Sequence, residues 1–129
     1  METKFEGIFE LFKTDARRLQ NGNKLRLVFE SAEDVEIEKK LIPFRENMVK
    51  AIITYEHKPG NDSVIEDTFE VYDVKCRRLK NGNKLTLILE QMYEKSKEIF
   101  VVQFKYENCK IFLEKNEKEL DFEEDEENE

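Results

Sequence analysis

A 22-residue stretch occurs twice in this chain. Residues 9–30 read FELFKTDARRLQNGNKLRLVFE and residues 69–90 read FEVYDVKCRRLKNGNKLTLILE, and 12 of the 22 positions are identical without a gap. A repeat at a fixed offset is typical of a duplicated structural unit. We therefore expect two halves with the same local structure, which share one core because a three-stranded unit is only marginally stable alone.

Each copy carries a strong β-hairpin signal. Asn21-Gly22 and Asn81-Gly82 separate alternating apolar and polar residues, and a type I′ turn favours Asn-Gly because both of its central residues have positive φ. A two-residue turn at these positions directs one face of each hairpin to the core. The opposed pairs on that face are Ala16–Leu27, Thr14–Phe29, Cys76–Leu87 and Val74–Leu89.

The first strand of each hairpin changes phase. Phe9 and Leu11 occupy odd positions, whereas the apolar residue Phe12 that follows them is even, and Val71 and Tyr72 repeat the change in the second copy. A phase change shared by both copies predicts a β-bulge or a sharp bend, the device that curls a sheet into a barrel.

The segment after each hairpin is also rich in β-branched and aromatic residues. Residues 48–56 and 99–107 have this composition, which predicts a strand in each half. Residues 31–47 begin with SAED, a capping-box pattern, and Pro43 stops the run that follows, which favours a short helix. Apolar alternation within residues 32–44 is equally compatible with a strand, so helix and strand both stay open there.

The predicted fold class is mainly β. Internally duplicated antiparallel β-hairpin units form one β-barrel or sandwich of about six to eight strands, with at most one short helix. In the second half the join shortens to about residues 92–98, and residues 109–113 form a last strand. The predicted organisation is a first β-β-(α)-β half (residues 1–57), a turn (residues 58–62), a second half that shares the core (residues 63–114) and a disordered acidic tail (residues 115–129).

The net charge of −8 comes from one end of the chain. Residues 114–129 contain ten acidic and two basic side chains, so the preceding residues contain 20 of each sign. Such a tail either keeps the protein soluble, competes for a basic surface of the same molecule, or docks on a basic partner.

The composition indicates a cytoplasmic protein. No apolar run approaches the ~18 residues of a membrane span, and the charged N-terminal segment lacks the apolar core of a signal peptide. Cys76 and Cys109 are too few for a disulfide framework, which favours a reducing compartment.

Residues that could perform catalysis are sparse. His57 is the single histidine, and no second histidine or cysteine accompanies it at the spacing of a triad or a zinc site. Cys76 aligns with Ala16 of the other copy, so we interpret it as a small core residue, and Cys109 in the same way. The four glycines are isolated and form no phosphate loop. We therefore expect no enzymatic activity, no metal and no cofactor.

Basic side chains surround both predicted hairpin tips. Two such tips could neutralise phosphates while strand aromatics such as Phe12, Tyr55, Tyr72 and Tyr106 stack on bases. Lysine and arginine at hairpin ends are also common simply as solubilising residues. The candidate binding residues are Arg17, Arg18, Lys24, Arg26, Arg77, Arg78, Lys80 and Lys84.

Two functions fit these patterns. The first is a non-enzymatic binding protein that acts through protein–protein interaction as an adaptor or inhibitor. The alternative is single-stranded nucleic acid binding through the two basic tips, with the acidic tail as an autoinhibitory competitor. We expect a monomer, because a duplicated chain already mimics a two-fold homodimer.

Overall fold

The computed structural model describes residues 3–18, 20, 22–58, 61–80 and 82–115, with the backbone alone for residues 56–58 and 61–62. Within these residues six antiparallel strands form one sheet, which confirms a mainly β fold. The elements are β1 (Lys4–Arg17), β2 (Lys24–Ala32), α1 (Val35–Leu41), a 3₁₀ turn (Ile42–Phe44), β3 (Met48–Lys58), β4 (Asn61–Arg77), β5 (Lys84–Met92), α2 (Lys95–Val101), a second 3₁₀ turn (Val102–Phe104) and β6 (Asn108–Lys115).

The strands pair in the order β1-β2-β5-β4-β3-β6, and β6 pairs in turn with β1. The two long strands are each shared between two partners. Residues 4–10 of β1 pair with β6 and residues 10–17 pair with β2, while residues 61–70 of β4 pair with β3 and residues 70–77 pair with β5. The order closes on itself, but the pairing around it is uneven, because neither β1 nor β4 pairs with both of its partners over its whole length.

A β-bulge lies in each long strand where the sequence predicts it. The register of β1 against β2 shifts at Phe12, and that of β4 against β5 shifts at Tyr72, the matching position of the second copy. Each bulge bends its strand close to the point where its pairing passes from one partner to the other.

The predicted hairpin register is wrong by two residues. Ala16 lies opposite Leu25, and Cys76 lies opposite Leu85. The pairing of β1 with β2 therefore ends at Arg17 and Lys24, with six residues between them rather than two. A shift of two residues keeps every side chain on its predicted face, which is why the apolar pattern did not reveal it.

The expectation of at most one helix is also wrong, since each half contains one. Residues 32–44 contain helix α1, and residues 99–107, predicted as a strand, contain the end of helix α2 and a 3₁₀ turn. Val101 and Phe104 are buried three residues apart, a helical spacing that a short apolar run cannot distinguish from a strand. Neither described α-helix has the length and apolar character needed to cross a bilayer.

The joins between hairpin and last strand have the same length in both halves, contrary to the shorter second join that the sequence predicts. Helix α1 begins at Val35 and helix α2 begins at Lys95, which are separated by the same offset as the repeated stretches. Glu46 and Tyr106 are matched in the same way, and both have positive φ, at 63° and 67°. The described elements of the two halves therefore occupy matching positions along the chain.

The core is built from buried side chains of all six strands, both helices and both 3₁₀ turns. Its largest fully buried side chains include Phe9, Phe29, Phe44, Phe69 and Phe104. Cys109 is buried, as expected, whereas Cys76 is only half-buried at the edge of this core. The predicted tail beyond residue 115, the asparagines of both Asn-Gly turns and the centre of the turn between the halves lie outside the described residues.

Candidate functional site

Two of the candidate arginines of the first hairpin form an ion pair with Glu90. Arg17 Nε donates to Glu90 Oε2 at 2.8 Å and Arg26 Nε donates to the same oxygen at 2.7 Å. Glu90 is only 2% exposed and belongs to the second hairpin. Both guanidinium groups also lie over the ring of Tyr72, at 5.0 and 4.4 Å from its centre. These arginines therefore join the two hairpins, and Glu90 offsets one of their two positive charges.

The second hairpin repeats this arrangement with one arginine fewer. Arg77 Nε donates to Glu30 Oε2 at 2.7 Å and lies 5.0 Å from the ring centre of Phe12. Thr86 occupies the position that corresponds to Arg26, and its buried hydroxyl makes no hydrogen bond within the described residues. The cluster around Glu90 is therefore more strongly connected than the cluster around Glu30.

The remaining candidate residues do not form one site. The antiparallel pairing of β2 with β5 puts Lys24 and Lys84 at opposite ends of this strand pair. Eight steps of ~3.4 Å separate these ends by roughly 27 Å. Arg18, Arg78 and Lys80 are exposed near the tips. The tips are thus two separate basic positions, and the structure does not bring them together.

The middle of α2 exposes two apolar side chains where α1 exposes lysines, although Val35 and Ile42 are exposed at the ends of α1. Ile99 is 64% exposed and Phe100 is 41% exposed. The corresponding residues of α1 are Lys39 and Lys40, which are also exposed. Val102, just after α2, extends the apolar surface. Exposed apolar side chains grouped in this way are typical of an interaction site, whereas single scattered ones are normal on a protein surface.

A cavity of about 230 Å³ lies between α2 and the first part of β4. Its volume is below the ~300–1,000 Å³ that is typical of sites for cofactors and drug-sized ligands. We name it the α2 groove; its lining residues are Val64, Ile65, Asp67, Phe69, Gln91, Ser96, Lys97, Phe100 and Val101.

The two charges in the α2 groove neutralise each other. Lys97 Nζ lies 2.6 Å from Asp67 Oδ2. Partial burial raises the pKa of Asp67, but the hydrogen bonds from Lys97 and from the Thr68 backbone outweigh it and lower that pKa. The same pair raises the pKa of Lys97. The pair stays ionised at neutral pH, and the rest of the lining is largely apolar.

One wall of the α2 groove is an edge of β4. Residues 61–69 pair with β3 on one side and with no described strand on the other. At that edge the Thr68 carbonyl accepts from Gln91 Nε2 at 3.2 Å, and the Thr68 N–H donates to Asp67 at 2.8 Å. The two-residue period of a strand directs the backbone groups of Val64 and Glu66 to the same edge.

The corresponding place in the first half is filled. Gly7 stands where β4 has Asp67, and a Cβ atom at Gly7 would lie 2.8 Å from Phe5 Cζ. Phe5 is buried in the core, and Ile37 of α1 packs against that core where α2 has Lys97. The residues that line the α2 groove therefore have counterparts of different size and charge in the first half.

A mixed cluster of ligand-type atoms lies beside the first helix. Glu33, Glu38 and Cys76 each bring one such atom within 4.8 Å of the others. The Cys76 thiol donates to Glu33 Oε2 at 3.3 Å. Burial and this hydrogen bond raise the pKa of the thiol to about 11, so it keeps its proton at neutral pH. The proton satisfies the carboxylate, and we assign no metal to this cluster.

Comparisons with protein-family models, with curated proteins and with solved structures each find no significant match. The surfaces themselves are therefore the basis for a function. The sequence reasoning missed the α2 groove because residues 99–107 read as a strand. Extending the alignment of the two copies past the repeat, which sets Ile99 and Phe100 against Lys39 and Lys40, would have revealed the contrast.

Proposed function

We propose that this chain is a non-enzymatic protein-binding module, of the adaptor or inhibitor type, that binds its partner in the α2 groove. The observation that carries the proposal is the contrast between the two helices. Ile99 and Phe100 are exposed on α2 at positions where α1 has lysines. Exposing large apolar side chains has a cost in solubility, and a bound partner removes that cost.

The occupant is an extended segment of a partner protein that carries a large apolar side chain. The free edge at Val64 and Glu66 offers backbone groups to such a segment, as in β-strand addition. The cavity volume matches one side chain better than a small-molecule cofactor. Because Asp67 and Lys97 cancel each other, the side chain that enters is expected to be uncharged.

We also propose that the fold is a six-stranded barrel built by internal duplication. The repeated sequence, the bulges at Phe12 and Tyr72 and the matching positions of the two helices support this origin. Duplication gives two copies of each surface, so one copy can acquire a binding groove while the other retains packing in the core.

A selection of random extended peptides against the whole protein tests the binding proposal. The matched variant is Ile99→Lys with Phe100→Lys, which gives α2 the residues of α1; the control variant is Lys39→Ala with Lys40→Ala. We expect selected peptides to share an apolar residue, to bind the control, and to lose at least tenfold in affinity for the matched variant.

Backbone NMR shifts then locate the bound peptide. The expected changes concentrate at Val64, Glu66 and Ser96. Peptides that bind the matched variant as tightly as the natural protein, or shifts confined to the first half, would overturn the proposal. Unfolding curves of both variants show whether the substitutions leave the fold intact.

A further inference from the structure

The bulge of β1 meets the loop before β6 in an exposed corner that is both basic and aromatic. Tyr106 N–H donates to the Leu11 carbonyl at 2.7 Å, which holds the loop against the bulge. Phe12 is 36% exposed and Tyr106 is 64% exposed. Lys105 Nζ lies 5.2 Å from the ring centre of Tyr106. We name Phe12, Lys13, Lys105 and Tyr106 the basic corner.

The corresponding corner of the other half has the same backbone and different charges. Glu46 N–H donates to the Val71 carbonyl at 2.7 Å, the counterpart of the Tyr106 bond. Asp73 replaces Lys13 and lies 3.5 Å from Arg45. This acidic corner surrounds a depression of about 310 Å³; its lining residues are Arg45, Glu46, Tyr72 and Asp73.

Three carboxylates near the basic corner have partners of their own. Glu30 accepts a hydrogen bond from Arg77 at 2.7 Å. Glu107 accepts a hydrogen bond from the Tyr55 hydroxyl. Burial and this neighbouring carboxylate raise the pKa of the Tyr55 phenol. Asp15 lies 3.8 Å from Lys13 in an exposed pair, which contributes little and is readily replaced by a stronger anion. Lys13 and Lys105 are themselves exposed, so both cations are accessible to a ligand.

We propose that the basic corner binds single-stranded nucleic acid. The exposed ring of Tyr106 and the partly exposed ring of Phe12, which Arg77 also approaches, lie beside two lysines. This combination matches the chemistry of a strand whose bases stack while its phosphates pair with cations. Arg77, which lies against Phe12, is followed along the chain by the exposed cations Arg78 and Lys80. Bases within a duplex are already stacked on one another, so the rings select an unpaired strand. This site does not depend on the α2 groove.

The salt dependence of binding should be shallow, because few phosphates are involved. A single strand releases counterions with a slope of about −0.7 per phosphate contact in log K against log salt. Two to four contacts therefore give a slope between about −1.4 and −3. Affinity at physiological salt is expected to be weak, and measurement at low salt is required.

The two corners provide matched variants in both directions. Lys13→Asp with Tyr106→Glu gives the basic corner the residues of the acidic one. Asp73→Lys with Glu46→Tyr does the reverse. Glu and Tyr both adopt the positive φ that this loop position requires, at 63° and 67°, so both exchanges are compatible with the backbone.

Fluorescence anisotropy of labelled oligothymidine with the full chain at low and moderate salt tests the proposal. We expect the first exchange to weaken binding at least tenfold and the second to strengthen it severalfold. An abasic strand of equal length should bind several-fold more weakly, because it offers phosphates without bases. Absence of binding at low salt, equal binding of the abasic strand or of a duplex, or no effect of the first exchange in a folded variant would each overturn it.

A second pair of variants keeps the test decisive if an exchange fails to fold. Tyr106→Ala removes one stacking ring from an exposed edge, and Lys105→Glu reverses one charge. Each is expected to weaken binding by at least threefold, and unchanged affinity in both would contradict the proposal. Binding that depends on Ile99 and Phe100 would instead assign the strand to the α2 groove and overturn this site.

Discussion

Helix α1 presents Lys39 and Lys40 to solvent where helix α2 presents Ile99 and Phe100, although the two helices occupy matching positions in their halves. The bulges, the helices and the positive-φ positions are common to both halves because each is required to turn the chain. The surface residues face no such requirement. Surface differences between the halves are therefore where a function performed by one half alone is expected.

The same contrast extends to the buried carboxylates that join the hairpins. Glu90 binds two arginines, whereas Glu30 binds one and has Thr86 as its strand neighbour. In both clusters the carboxylate belongs to a glutamate near the end of the second strand of a hairpin, Glu30 in β2 and Glu90 in β5. In the first cluster two arginines contact the Tyr72 ring, while in the second a single arginine contacts Phe12.

Removing the two buried carboxylates should have unequal effects on stability. Glu90→Ala leaves Arg17 and Arg26 without their partner, and breaking a buried pair in this way costs about 3–5 kcal/mol. Glu30→Ala frees only Arg77, which is partly exposed and can be hydrated, at about 1–2 kcal/mol. Urea unfolding of both variants measures the difference. Equal losses would show that the two clusters are energetically alike despite their different partners.

The two loop glycines should behave alike. Gly22 and Gly82 have φ of 120° and 118°, a conformation that residues with a Cβ rarely adopt. Alanine at either position should cost about 1–3 kcal/mol through backbone strain. Thermal unfolding of the two variants should give the same loss within experimental error. A much smaller loss of stability at one glycine would mean that the backbone at Gly22 and the backbone at Gly82 accommodate a Cβ atom differently. The two halves would then correspond in their strands but not in these loops.

The N-terminal caps of the two helices should differ in their contribution to stability by a smaller amount. Asp34 accepts hydrogen bonds from the Glu36 and Ile37 N–H groups at 2.9 and 3.3 Å. Glu94 makes no such side-chain bond at α2. Asp34→Ala should therefore cost about 1 kcal/mol, and Glu94→Ala close to nothing. Chemical denaturation of both variants checks this; a comparable loss at Glu94 would contradict the assignment of the caps.

The sequence predicted those features that both halves share. The alternation and the phase change at Phe12 and Tyr72 led to a pair of antiparallel hairpins with bends at the observed positions. The register was missed by two residues because the apolar face is the same in both registers. Helix α2 was missed because its short apolar run fits either period, and tertiary packing of Val101 and Phe104 decides between them.

The candidate site could be predicted only in part, because partners of charged residues are not visible in a sequence. Arg17, Arg26 and Arg77 read as free cations near a tip, yet each binds a glutamate on the neighbouring hairpin. Those glutamates lie 47 to 73 residues away along the chain. Long-range ion pairs of this kind depend on strand order, which the repeat alone did not determine.

The smallest expected change in stability comes from Cys76→Ala, because Ala16 occupies the same position in the first half. We expect a loss below about 1 kcal/mol near neutral pH, since the side chain is small and half-buried. Burial and Glu33 raise the pKa of the Cys76 thiol from 9.0 to about 11. A raised pKa stabilises the protonated, folded form below pH 9, and this contribution declines as the pH rises toward 11. Between pH 9 and pH 11 the free energy of unfolding of Cys76→Ala should therefore fall less than that of the natural protein. Urea unfolding at several pH values measures this difference.

The alkylation rate of the Cys76 thiol gives an independent measure of the same raised pKa. Alkylation should be slow at neutral pH, accelerate toward pH 11 and vanish in Cys76→Ala, because Cys109 is buried with a pKa of about 12. Alkylation of the variant at the natural rate would identify Cys109 as the reactive thiol. Since Cys109 lies in the core, that result would show that the second half opens more readily than its packing implies.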